Sequence, residues 1–234
     1  MNNTSSIITI GREYGSGGRQ IGKEIANYFG IKYYDKELLE HAANDSGICK
    51  ELFEHHDEKP TNSFLYSLVM DTYSFGYSSA GFSDMPMNHK IFLAQFDAIK
   101  KLAGEGPCVM VGRCADYALA DCKDCFSVFV HADFDWRINR IAAKYNKTPK
   151  EARDIITKTD KSRASYYNYY TNKKWGSAKS YNLCIDSSKY GIDNTVKAIV
   201  ESIKIFDSTK ILIDSIIALT VLSIPYLLLS MQRL

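Results

Sequence analysis

The sequence predicts an α/β fold with a mostly parallel sheet, and three observations carry that expectation. Short apolar runs recur along the 234 residues. Most segments between them are long enough for helical crossovers. A glycine-rich decamer, Gly11–Gln20, joins the first apolar run to the first helical pattern.

Taken in order, Ser6–Ile10 is short, rich in β-branched residues and followed at once by glycines, so it reads as a buried parallel strand entering a loop. From Arg19 onward Ile21, Ile25, Ala26 and Phe29 recur at helical spacing, and Gly30 falls where a C-cap belongs. Further strands are expected at Lys32–Tyr34, Cys108–Val111, Phe126–His131 and Asn182–Ile185. Residues 45–87 form a polar, aromatic, Gly/Ser-rich insert, expected on the substrate side. At Thr148-Pro149-Lys150-Glu151 a capping box with proline at the first helical position opens a charged segment ending near Lys174, which reads as a helical lid.

Composition narrows the function. Basic and acidic residues number 29 and 27, giving a net charge of +2, so no overall basic surface points to nucleic acid and any anion site must be local. Six cysteines, with no signal peptide ahead of the first strand, point to reduced thiols in a cytoplasm. Cys122-Lys-Asp-Cys125 lacks the second ligand pair of a zinc site and reads as loop thiols, and the five histidines show no metal-binding spacing. Ile211–Met231 is apolar apart from Asp214 and Pro225 and is flanked by Lys210 and Arg233; at ~20 residues per bilayer crossing, the 208–234 tail is expected to contact a membrane as an anchor, leaving the rest in the cytoplasm. The other reading is an extra helix folded on the domain.

Between a strand and a helix, Gly11-Arg-Glu-Tyr-Gly15-Ser-Gly-Gly-Arg-Gln20 is placed to cradle phosphate with backbone N–H groups, through Gly15, Ser16, Gly17, Gly18, Arg19 and Gln20. It departs from the common G-x-x-x-x-G-K-[ST] pattern. Gly18 stands where lysine is usual, Arg19 follows as the substitute cation, and no hydroxyl occupies the usual magnesium position. Magnesium is then expected to be held through water, by a carboxylate such as Asp35, or by the nucleotide.

Together Ile8–Gly22, Tyr33–Leu39, Val111–Tyr117 and Thr159–Tyr167 resemble the cytidylate kinase-like family, in order from about residue 6 to about residue 206. The resemblance implies a P-loop three-layer fold with a five-stranded parallel sheet, a helical insert, a helical lid, and ATP with Mg2+. It implies acceptor contacts for Arg113, at the turn after the third strand, and for Asp160 and Arg163 in the lid. It also makes Asp35 the acidic residue near the acceptor phosphate. Residue by residue, other readings stand beside these: an Arg113–Asp116 surface pair, an Asp160–Arg163 ion pair at i,i+3, and Asp35 as a helix N-cap. The expected activity is phosphoryl transfer to a nucleoside monophosphate, best CMP or dCMP, with Arg19, Asp35 and Arg163 catalytic. The alternatives are a kinase for another small metabolite and a nucleotide-binding regulator without turnover.

Overall fold

Residues 3–47 and 87–231 are described by a computed structural model. The elements are β1 (Ile7–Arg12), α1 (Gly18–Phe29), β2 (Lys32–Tyr34), α2 (Glu37–Ser46), α3 (Met87–Gly104), β3 (Cys108–Val111), α4 (Ala115–Ala118), β4 (Cys125–His131), α5 (Phe134–Tyr145), α6 (Pro149–Thr171), β5 (Leu183–Asp186) and α7 (Ser187–Met231). All strand pairings are parallel, in the order β2-β3-β1-β4-β5.

Alternation along β1 explains why the sheet is covered twice. Ile8 and Ile10 point to one face and pack with Ile21 and Ile25 of α1 and Ile199 and Ile203 of α7. Ile7 points to the other, against Leu38 of α2, Ile99 and Leu102 of α3 and Met110 of β3. Strands buried on both faces read as continuous apolar runs, which is why β1 and β3 were visible in sequence. Thr4 and Ser6 tie the start of β1 to α7 by donating to Asp207 at 2.6 and 2.5 Å.

The helix expected from the capping box is α6. Thr148 Oγ1 accepts from the Glu151 N–H, and Glu151 Oε2 accepts from the Thr148 N–H at 2.8 Å. α7 is broken near its start by Gly191, whose φ of 70° and ψ of 167° leave the helical region. Among the described residues no helix is long and apolar enough to cross a membrane; the expected anchor over Ile211–Met231 falls mostly on side chains outside those residues. The backbone there continues α7, while the side chains of residues 214 and 216–231 lie outside those described. Most of the expected insert, residues 48–86, also lies outside the described residues, as does Cys49.

Candidate functional site

β1 is the central strand, with β3 on one side and β4 on the other, so its carboxyl end is the topological switch point where open α/β sheets bind ligands. The Gly11–Gln20 decamer leaves from that end. Gly15 and Gly17 both hold φ of 86°, a left-handed conformation costly for any residue with a Cβ. They turn the chain so that α1 begins at Gly18 with no side-chain cap and no acidic residue in its first turn. Its first N–H groups therefore have no intrahelical acceptor, and the positive end of the helix dipole faces the loop.

A cleft of about 440 Å³ lies over this loop. It is lined by Gly15, Gly17, Gly18 and Gln20 and by six cations, Arg12, Arg19, Lys23, Arg140, Lys144 and Arg163, against one carboxylate, Glu13. In a chain of net charge +2 this is a concentrated positive field. Ser16 does not line the cleft: it is fully buried, and both its hydroxyl and its N–H donate to the Glu13 carbonyl, at 2.9 and 3.3 Å. Its side chain is therefore a loop brace. Gln20 is held by Arg140, which donates to its side-chain oxygen at 2.7 Å.

Packing gives the absence of lysine at position 18 a physical reason. A Cβ on Gly18 would lie 2.6 Å from Arg12 Cβ and 3.2 Å from Arg12 Cγ. The space a lysine stem would enter is occupied by another cationic side chain. Arg12 is 7% exposed and, with Arg163, lines both this cleft and a second one. Sequence reasoning passed over Arg12, although its place one residue after Gly11 at the loop entrance was the available signal.

Arg19, at the first turn of α1, has Nε 2.5 Å from Asp35 Oδ2, and its side chain is 58% exposed. Asp35 is buried at the end of β2 and also meets Arg113, whose Nη1 donates to the Asp35 carbonyl at 2.7 Å and lies 3.4 Å from Oδ1. One carboxylate thus joins the phosphate-loop arginine to the arginine after β3. The N-cap reading of Asp35 fails, because Lys36 occupies the α2 cap position and no side chain caps it. The Arg113–Asp116 surface pair fails too. Arg113 is buried, with φ of 53°, while Asp116 Oδ2 accepts from the Tyr167 hydroxyl at 2.7 Å.

Asp160 and Arg163 part company. Asp160 accepts from the Tyr14 N–H at 2.7 Å and from Arg137 Nη1 at 2.5 Å, so it fastens α6 to the loop backbone. Arg163 donates to the Arg12 carbonyl at 3.2 Å and lies over the Tyr14 ring at 5.5 Å, between the two clefts. Arg137 also lies 3.5 Å from Glu13 Oε2. Burial raises the Glu13 carboxyl above its ordinary 4.5, opposed by the Ala132 N–H and by Arg137.

The second cleft is a crevice of about 20 Å³ lined by Gly11, Arg12, Gly112, Arg113, Cys114, Asp116, Arg163, Tyr166, Tyr167, Trp175 and Tyr181. Burial raises the Asp116 carboxyl, opposed by the Tyr167 hydrogen bond. Tyr170, beside these tyrosines on α6, stacks on Phe92 at 4.0 Å and is packing.

Donor chemistry separates a polyphosphate from a metal. Cations, backbone N–H groups and a helix N-terminus suit a nucleotide triphosphate. Among the described residues no group of three or more His, Cys, Asp or Glu is placed to hold a metal, and Asp35 and Glu13 are engaged by arginines. Among the described residues, no set of side chains fits a magnesium ion held by the protein.

Residues 7–189 match the sequence pattern of the cytidylate kinase-like family. Among curated proteins none matches the sequence. Solved structures similar to the chain include an uncharacterized protein from Eubacterium ventriosum, 28% identical with a TM-score of 0.62, the match covering 85% of this chain and 98% of that one. Others are a shikimate kinase from Bacteroides thetaiotaomicron, at 15% identity, TM-score 0.48 and coverage of 85% and 98%, and a gluconokinase from Sinorhizobium meliloti, at 13%, 0.49, 90% and 98%.

Proposed function

The chain belongs to the cytidylate kinase-like family, and from that premise we propose that it transfers the terminal phosphoryl group of ATP to a nucleoside monophosphate, with CMP or dCMP as acceptor. The observation that carries the reading is the cationic cleft over the uncapped start of α1, bordered through Arg12 and Arg163 by the crevice at the end of β3. Donor phosphates lie against the Gly15–Gln20 backbone, with Lys23, Arg140 and Lys144 along the cleft. An acceptor phosphate oxygen attacks the terminal phosphorus, the bond to the bridging oxygen breaks, and ADP leaves. The acceptor is already anionic, so positioning and charge neutralisation matter more than a strong base. Arg12, Arg19 and Arg163 supply the positive charge between the two sites. Asp35 orients Arg19 and Arg113, and Asp160 keeps α6 on the loop. Magnesium, in this reading, arrives with the nucleotide.

A second reading, transfer to another small metabolite, is favoured by one observation: the crevice has room for little more than a water, so a nucleotide acceptor requires it to widen. Measuring ADP release with ATP and a panel of monophosphates, small hydroxy acids and sugar acids separates the readings. Turnover with CMP or dCMP above all others is the expected result. Turnover confined to a non-nucleotide acceptor overturns the choice of acceptor, and ATP binding with no turnover on any of them leaves a nucleotide-binding regulator.

A further inference from the structure

One buried hydroxyl in the crevice lacks a hydrogen bond of normal geometry. Tyr181 is 8% exposed, yet its Oη makes no hydrogen bond of normal geometry. The hydroxyl lies on the loop side of the crevice, 3.3 Å from where a Cβ on Gly11 would stand. Its neighbours are otherwise occupied. The Tyr167 hydroxyl donates to Asp116 and the Tyr166 hydroxyl donates to Gln95 at 2.9 Å. Desolvation holds the Tyr181 hydroxyl in its neutral, donor-bearing form. Buried hydroxyls without partners are rare in folded proteins, because losing water without gaining a bond is unfavourable.

The same crevice carries arginines, Arg12, Arg113 and Arg163, and flat aromatic walls at Trp175 and Tyr167. Cations, flat walls and one unmatched donor describe the chemistry of an occupant that the crevice would have to widen to admit: a planar single-ring molecule carrying an anionic group and a hydrogen-bond-accepting ring oxygen.

We propose that Tyr181 is a specificity-determining residue of the acceptor site, its hydroxyl donating to a ring carbonyl of a pyrimidine nucleoside monophosphate whose phosphate meets the crevice arginines. Asp116 acts through Tyr167: by accepting the Tyr167 hydrogen bond it keeps that hydroxyl from competing as a donor at the same spot. The inference rests on the monophosphate-kinase reading and deepens it. Because cytosine and uracil share the 2-carbonyl, Tyr181 selects single-ring pyrimidines as a class and does not separate CMP from UMP.

The test is calorimetric titration of the full chain and its Tyr181→Phe variant with CMP, UMP and ATP, alongside thermal melts. The variant is expected to bind CMP and UMP roughly 3- to 10-fold more weakly, with ATP affinity unchanged, the loss of one neutral hydrogen bond. Its melting temperature is expected to hold or rise, since an unpartnered buried hydroxyl has been removed. A structural hydroxyl would give the opposite pattern, a lower melting temperature with all ligands weakened together, and that result overturns the proposal. Unchanged CMP affinity in Tyr181→Phe overturns it while leaving the kinase reading intact. A parent chain that binds ATP but neither pyrimidine nucleotide overturns both the proposal and the choice of acceptor, and a parent that binds no ATP overturns the kinase reading itself.

Discussion

Replacing Arg19 with alanine separates a catalytic role from a structural one, because the two predict very different magnitudes. The pair with Asp35 at 2.5 Å is half in solvent, Arg19 being 58% exposed, so screening limits its worth to about 1 kcal/mol or less. For a chain of this size that lowers the melting temperature by no more than about 2–4 °C. Asp35 keeps Arg113, so no buried carboxylate is left alone. The kinetic loss is expected to be far larger. Asp35 engages Nε and leaves the terminal nitrogens of the guanidinium at the cleft, where the transferred phosphoryl group gathers charge. Removing one preorganised donor of this kind costs on the order of 10²–10³ in turnover, about 3–4 kcal/mol. Arg19→Lys should recover only part, since a point charge cannot hold Asp35 and a phosphate oxygen in fixed directions together. The assay is kcat and ATP affinity for the three proteins after each is shown to melt cooperatively. Parent-like turnover in Arg19→Ala refutes the reasoning and leaves phosphate binding to the backbone and the other cations.

Arg113→Ala breaks a buried pair, so it should cost about 3 kcal/mol or more in a denaturant melt, and below its lowered melting point it should lose CMP affinity while keeping ATP affinity; equal loss of both contradicts an acceptor role. Gly18→Lys writes the common lysine back into the loop, but its Cβ would lie 2.6 Å from Arg12 Cβ, so it should lower both stability and turnover, and a faster enzyme would contradict the packing argument. Burial raises the Asp116 carboxyl above its ordinary 3.8, so the folded chain keeps a proton that the unfolded chain releases. That preference supports the fold fully below 3.8 and fades as pH climbs through the raised value. The melting temperature of the parent relative to Asp116→Asn should therefore fall between pH 3.8 and neutrality, and a constant difference would contradict it.

Much of the fold was legible because its signals are local. β2 falls at its expected residues and β3 where its apolar run predicts, Gly30 caps α1, and the Thr148 capping box opens α6, since the burial of β3 on both faces and hydrogen bonds within one helical turn are written in neighbouring residues. The site was legible in its parts and not in its pairings. Sequence pointed to Arg19, Asp35 and Arg113 separately, but their union depends on strands β2 and β3 lying side by side. Asp160 looked like a partner of Arg163 because they are three apart on one helix; it instead meets Tyr14 and Arg137, from two other segments that no spacing rule brings together. Arg12 was missed for the same reason. Its importance comes from Gly18, six residues on, folding back against its stem.

The central claim is that the glycine loop and its cations hold the donor triphosphate. A crystal structure with a non-hydrolysable ATP analogue tests it most directly. The account predicts the phosphates against the backbone of Gly15–Gln20 and the start of α1, with the terminal nitrogens of Arg19 and the guanidinium of Arg12 or Arg163 on the terminal phosphate. Phosphates bound elsewhere, or bound at the loop with all three of these arginines turned away, would contradict it.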